Sequence, residues 1–417
     1  MEVAGDQAGR FQLAVTTGVL AAIAAAVFLW GACSARLERA DLTAPIVFVG
    51  LGVVLWAILS PTSGLEGVPL RVLTEITLVW VLFSDAAGVS LRALRTDAAT
   101  YVRLLAVALP LTIALGCLLA WAMFDGLDVW LALFVGAALA PTDASLGQAV
   151  ITNPAVPVRI RDILNVESGL NDGIATPVVL VALAGAQAAN DAQRGIPGHP
   201  MLQLLAGVGV GVGIGGLAGV LLRTTRRRGW VAEEFAGPAT LALALLAYSA
   251  AVTAGSNGFV AAFAAGVAFG NLAGPGEPRQ VFYVKQTAAL AALLVWTLFG
   301  FVAVPLVVHA PVWLLLLYAA LSLTAIRMLP VGIVLARTDL NRRAALFIGW
   351  FGPRGLASVV FALVAIDELG AGADIAVALV VVTVLASVVL HGLSARPLAN
   401  RYAATGHRAV TAFDEFG

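Results

Sequence analysis

Charge is scarce in this chain of 417 residues: only 12% of it is Asp, Glu, Lys or Arg, against about a quarter in a soluble globular protein. The 24 basic and 24 acidic residues cancel, so nothing in the balance points to nucleic acid or to an acidic partner. Cysteine is nearly missing. Cys33 and Cys117 both fall in apolar runs, which excludes a disulfide framework or a paired-cysteine metal site and predicts two small apolar core residues. Histidine is rare and scattered. His199 and His309 are expected in external loops, His391 near the inner end of the last apolar run and His407 in the tail, all surface or interfacial positions. The glycine-rich run GVGVGVGIGGLAG (207–219) lacks the GK[ST] of a phosphate loop, so small residues packing helix against helix are expected there instead.

What the chain has in abundance is apolar length. Hydrophobic residues make up 60% and mean hydropathy is +0.96, which defines a polytopic membrane protein. The acidic start MEVAGDQ has no positive region before the first apolar run, so that run is expected to remain as a membrane helix. Apolar runs fall near 11–33, 45–61, 69–88, 102–124, 128–150, 163–187, 200–222, 236–255, 257–272, 284–307, 312–336, 341–366 and 372–395, about thirteen spans of the length that crosses a ~30 Å hydrocarbon core. Nineteen of the 24 basic residues lie in loops that follow odd-numbered spans. Arg10, Arg71 and Arg194 lie on the other side, and Arg327 and Arg354 lie within spans. That asymmetry predicts the N-terminus outside and the C-terminus in the cytoplasm. Short loops and a tail of about twenty residues after 396 leave no room for a nucleotide-binding domain, so ATP-driven transport is not expected.

Against this background the stretch NVESGLNDGIATP (165–177) stands out, because a carboxylate at bilayer depth costs at least a few kcal/mol. Glu167, Ser168, Asn171 and Asp172 are paired at i,i+4 and share an arc of roughly 140° on one helix, with Asp172 near the bilayer midplane. The neighbouring span carries APTDAS (140–145). Pro141 removes a backbone donor, and the carbonyls it frees, together with Thr142, Asp143 and Ser145, supply hard oxygen atoms suited to a small cation such as Na+. The twelfth span carries GPRG (352–355), where Gly352, Pro353 and Gly355 predict a second interrupted helix around Arg354. An arginine there needs a carboxylate or carbonyls, and Glu167 is the expected partner. Paired interruptions in the two halves of an apolar chain point to an inverted-repeat transporter and to its binding site. Of the other intramembrane charges, Glu75 and Arg327 are expected to pair or to act as helix-packing charges, and Asp85 to lie near the cytoplasmic interface. Arg161 and Asp162 should mark the solvated start of span six, with a cation-funnel role for Asp162 as the alternative.

The ordered motifs PTD, ESGLND and GPRG on spans five, six and twelve, with SNGFVAAFAAGVAFGN (256–271) on span nine, resemble the monovalent cation/proton antiporter-1 family, the NhaP-type and NHE-type sodium/proton exchangers. The resemblance covers essentially the whole membrane region. It implies an all-α fold of about thirteen helices with inverted repeats and two crossing broken helices, spans 5 and 12, near the midplane. It also implies a division of the chain. Residues 1–99 and 236–308 are then dimerisation-domain helices, and 100–187 and 309–396 the two halves of a moving core. Residues 188–235 form a linker helix with a basic cytoplasmic loop, and 397–417 a short cytoplasmic tail.

In that scheme Asp172 carries the cation and the proton, and Asp143, Ser168 and Thr142 help to hold Na+. Asn171 stands where electrogenic relatives have a second aspartate, which implies electroneutral exchange, one cation for one proton. Glu167 and Arg354 form a structural ion pair, and Pro141, Pro353, Gly352 and Gly355 form the breaks. The family further implies a transporter rather than an enzyme, a homodimer in the inner cell membrane, and membrane lipid, a monovalent cation and a proton as its partners, with no cofactor and no nucleic acid. The expectation is therefore a secondary antiporter of Na+, with Li+ or K+ as alternative ions. A K+/H+ antiporter, a cation channel and a Na+-coupled solute symporter are the competing readings.

Overall fold

A computed structural model describes residues 2–59, 70–95, 97–144, 146–190, 200–274, 277–308 and 311–414. The described chain is helical throughout, without a strand. The helices are α1 (Glu2–Arg39), α2 (Ala44–Leu59), α3 (Leu70–Ala87), α4 (Ala98–Met123), α5 (Val129–Ala138) and α6 (Val158–Asn190). After them come α7 (Pro200–Arg227), α8 (Glu233–Thr253), α9 (Gly258–Leu272) and α10 (Glu277–Val308). The last three are α11 (Val312–Leu335), α12 in two pieces (Arg342–Trp350 and Leu356–Leu369) and α13 (Asp374–Asp414). Each expected span has its helix. Eight helical stretches are long and apolar enough to cross a membrane, and α2, α5 and α9 are shorter apolar helices. His199, His309, Arg194 and Ser145 lie outside the described residues.

Local chemistry sets several of these boundaries. Asp128, Asn257 and Asn341 each accept a backbone N–H of the first turn that follows, opening α5, α9 and α12. These caps satisfy amide groups that have no partner inside the helix. Helix α5 stops at Ala138, three residues before Pro141, whose ring would strike the carbonyl four residues back. Helices α4 and α11 each contain a π-helical turn, Leu104–Ala108 and Ser322–Ile326, and the second delivers Arg327 directly after it. Such turns occur often at functional sites because they re-aim the following side chain.

The glycine-rich run of α7 packs as the sequence predicts. A Cβ at Gly207, Gly211 or Gly215 would run into the backbone of Asn257, Ala261 or Ala265 on α9, so the two helices touch main chain to main chain. Gly52 on α2 and Gly300 on α10 join those two helices in the same way. The interior is filled by apolar side chains such as Phe83, Phe134, Phe269, Tyr318 and Phe361, each at most 2% exposed.

Helix α13 runs through Pro397 to Asp414, so the expected tail beyond 396 is helical, and Arg396 ties α13 to α1 by donating to the carbonyls of Arg39 and Glu38 at 2.6 Å each. Two expectations are corrected here. Cys33 is exposed on α1 rather than in the core, while Cys117 is half-buried. His391 is 1% exposed and packs deep against α12, not at a surface.

Candidate functional site

The two interruptions meet. The chain between α5 and the short helix Gln148–Ile151 and the chain between the pieces of α12 are joined by the N–H of Asp143, which donates to Pro353 O at 2.8 Å. In return the N–H of Leu356 donates to Asp143 Oδ2 at 3.0 Å. Gly355 is required by this approach, since a Cβ there would coincide with the Asp143 side chain. Gly352 is similarly hemmed in by the side chains of Arg327 and Thr142. Arg354, fully buried, donates through Nη1 to Ala140 O (3.0 Å) and Pro141 O (3.2 Å), carbonyls past the end of α5 where no helix continues to supply donors. Ser358 adds an O–H to Ala138 O at 2.6 Å.

Helix α6 lays its polar face on this junction. Glu167, Ser168, Asn171 and Asp172 are all buried, at 2, 6, 1 and 7% exposure. Thr142 Oγ1 lies 2.9 Å from Ser168 Oγ and accepts from Asn171 Nδ2 at 2.7 Å, so the break of α5 is stitched to α6 by uncharged groups. Asp172 has no ion-pair partner among the described residues. The charges that act on it are those of Asp143 and of Asp85 at the end of α3. Lys285 on α10 and Asp143 in turn act on Asp85. Among the described residues no three His, Cys, Asp or Glu converge as in a resident metal centre. The oxygen-bearing side chains gathered here are mixed instead, the carboxylates of Asp172 and Asp143 with the hydroxyls of Thr142 and Ser168.

The expected ion pair is corrected. Glu167 does not pair with Arg354; its Oε1 lies 2.6 Å from Nη1 of Arg327, and both side chains are at most 3% exposed. Arg354 spends its reach on the carbonyls of the α5 break, while Arg327, delivered by the π-turn of α11, faces α6. The expected pairing of Glu75 with Arg327 fails for the same reason. Glu75 accepts from Arg71 Nε at 2.7 Å and from Tyr248 Oη at 3.1 Å. The partner of Glu167 was therefore misread in the sequence. Arg327 is a lone arginine inside an apolar span, which is itself a signal, but nothing in one sequence says which carboxylate it faces. Asp85, the only acid of LVWVLFSDAAGV, stands near the end of α3, and a Cβ at Gly169 of α6 would lie 3.5 Å from its main-chain oxygen.

This is a polytopic helical membrane protein whose two interrupted helices abut beside a buried carboxylate without an ion-pair partner among the described residues. The chain belongs to the sodium/hydrogen exchanger family: the family model described as the transmembrane region of sodium/hydrogen exchangers matches residues 12–401. It is 28% identical over 277 residues to Na(+)/H(+) antiporter 2 of Zygosaccharomyces rouxii, covering 60% of this chain and 33% of that one. To the K(+)/H(+) antiporter NhaP of Alkalimonas amylolytica it is 25% identical over 342 residues, covering 79% and 57%. The chain thus spans between a third and somewhat over half the length of these curated relatives. Among solved structures it is similar in fold to the sodium proton antiporter MjNhaP1 from Methanocaldococcus jannaschii, with a TM-score of 0.72 at 18% identity over 93% of this chain and 99% of that one.

Proposed function

We propose that the chain is a secondary antiporter that exchanges a monovalent cation, Na+ first, for H+ at Asp172. The observation that carries this reading is a contrast within two turns of α6. Glu167 is neutralised by Arg327, whereas Asp172, equally buried, has no cation of its own among the described residues. A buried carboxylate without a protein partner binds a mobile one, either a cation or a proton, and protonation removes the charge that attracts the cation. Competition at a single carboxylate couples the two fluxes. Thr142, Ser168 and Asp143 are the neighbouring oxygens that would complete the cation's shell, with Asn171 holding Thr142 in place.

Because Asn171 brings no second charge to α6, the exchange is electroneutral, one cation for one proton. The same reading takes α4–α6 and α11–α13 as the moving core, α1–α3 and α8–α10 as the dimer scaffold, and the inner membrane as the site, with the N-terminus outside. A K+/H+ exchange is the second reading, favoured by the similarity to the K(+)/H(+) antiporter of Alkalimonas amylolytica. The test is a pH-gradient dequenching assay in proteoliposomes with Na+, Li+ and K+, with and without a clamp on membrane potential. Asp172→Asn is expected to abolish cation-dependent proton movement, and retained exchange sinks the proposal. A rate that changes with the clamp overturns electroneutrality alone.

A further inference from the structure

The gap in α12 is fastened from behind by α13. Ser387, His391 and Ser394 are spaced i, i+4 and i+7 and form one stripe of that helix. Ser387 Oγ accepts the backbone N–H of Arg354 at 2.7 Å. His391 Nε2 lies 2.9 Å from Trp350 O, and its Nδ1 lies 3.1 Å from Ser387 Oγ and 2.9 Å from Ser387 O. Ser394 Oγ accepts from Trp350 Nε1 at 3.0 Å, and the Trp350 ring packs on the imidazole with centroids 5.3 Å apart. Trp350 ends the first piece of α12 and Arg354 stands just before the second, so both lips of the gap are tied to the same stripe.

A carbonyl only accepts, and the ring faces two of them, Trp350 O at Nε2 and Ser387 O at Nδ1. The tautomer protonated at Nε2 donates to Trp350 O, the carbonyl across the helix contact. In a neutral ring Nδ1 is then the acceptor, and the Ser387 hydroxyl, which already accepts from Arg354, gives its own proton to it. In that tautomer a continuous line runs from the Arg354 N–H to the Ser387 hydroxyl, to the imidazole and on to Trp350 O. Arg354 and Leu356 in turn hold Ala140, Pro141 and Asp143. A shift of the gap therefore displaces the α5 break as well.

We propose that Ser387 and His391 are positioning residues for the cation site: they fix the width of the α12 gap and, through it, the placement of Thr142 and Asp143 beside Asp172. This rests on the reading of Asp172 and its neighbours as the cation site. The test compares the KM for Na+ of proteoliposome exchange in Ser387→Ala, His391→Gln and His391→Ala. Ser387→Ala leaves the buried N–H of Arg354 without its partner, and His391→Ala removes the side-chain donor to Trp350 O, which keeps only the N–H of Gly352 at 2.8 Å; a rise in KM of roughly tenfold is expected, with Vmax changing less. His391→Gln keeps an amide N–H for Trp350 O and is expected to recover most of that loss.

A KM for Ser387→Ala equal to that of the parent, or an effect of His391→Gln as large as that of His391→Ala, overturns the proposal. If His391→Ala does not fold, Ser387→Ala and His391→Gln decide. Asp172→Asn run in parallel separates the two readings. Retained exchange there overturns the cation site itself, whereas lost exchange there with an unmoved KM in Ser387→Ala overturns only the positioning role.

Discussion

At the break of α5 the chain carries an acid, Asp143; at the break of α12 it carries a base, Arg354. Each serves the helix end of the other. Asp143 accepts the first N–H of the second piece of α12, where a helix presents unpaired donors and the positive end of its dipole. Arg354 donates to the last carbonyls beyond α5, where a helix presents unpaired acceptors and the negative end. The difference in sign is therefore a single design seen from two sides, in which a fully buried arginine is met by main-chain carbonyls. The carboxylate of α6 belongs to a different arginine, Arg327 on α11.

The sharpest way to break this assignment is to remove Glu167. Glu167→Ala leaves Arg327 as an uncompensated buried charge and is expected to cost about 3–5 kcal/mol, read as a large fall in the melting temperature of purified protein. A double-mutant cycle sharpens it. Glu167→Gln with Arg327→Gln should couple strongly, and Glu167→Gln with Arg354→Gln weakly; equal coupling would return Arg354 to the role of ion partner.

Arg354→Ala comes next. It removes two charge-assisted hydrogen bonds to carbonyls at the α5 break, a loss of about 3 kcal/mol, and should lower both melting temperature and exchange. Asp143→Asn is expected to be milder in stability, about 1 kcal/mol or less, because the amide oxygen still accepts from Leu356, whereas Asp143→Ala loses that acceptor. If Asp143→Asn and Asp143→Ala destabilise equally, the helix-end role of Asp143 is wrong.

Much of this was legible in one sequence because membrane physics makes polar residues conspicuous. The lengths of the apolar runs gave the helices. Pro141 and the Gly-Pro-Arg-Gly of 352–355 marked both interruptions, and the i,i+4 pairing of Glu167 with Asn171 and Ser168 with Asp172 put the polar face of α6 on the site. Partnership was not legible. Arg327 and Arg354 are both lone arginines at depth, and which of them meets Glu167 depends on a π-turn that shifts the face of α11, a feature without a sequence signal here. His391 was misplaced because its distance from the end of the apolar run was read as its distance from solvent, while α12 covers it through Trp350.

The smallest effect is expected away from the breaks, where charge meets water and no helix end is at stake. Arg159, near the start of α6, binds Asp97 through Nε at 2.7 Å and Asp339 through Nη1 at 2.7 Å, joining the chain ahead of α4 to the loop ahead of α12. Burial at the mouth of α4 raises the Asp97 carboxyl, but hydrogen bonds from Arg159 and Thr100 outweigh it and hold the group below its ordinary value. Hydrogen bonds from Arg159 hold Asp339 below its ordinary value as well. A carboxylate depressed in the folded state stabilises the fold above its unfolded pKa of about 4, and that stability is lost as pH falls through the folded value. The side chain of Asp339 is 74% exposed, so screening keeps its share slight. Below about pH 4 the melting temperature of the parent should thus fall slightly more steeply than that of Asp339→Asn, and the gap should close in high salt. A steeper acid slope in the variant would mean that Asp339 destabilises the fold, and that this ion triad, unlike the crossed charges of the two breaks, is not complementary to its surroundings.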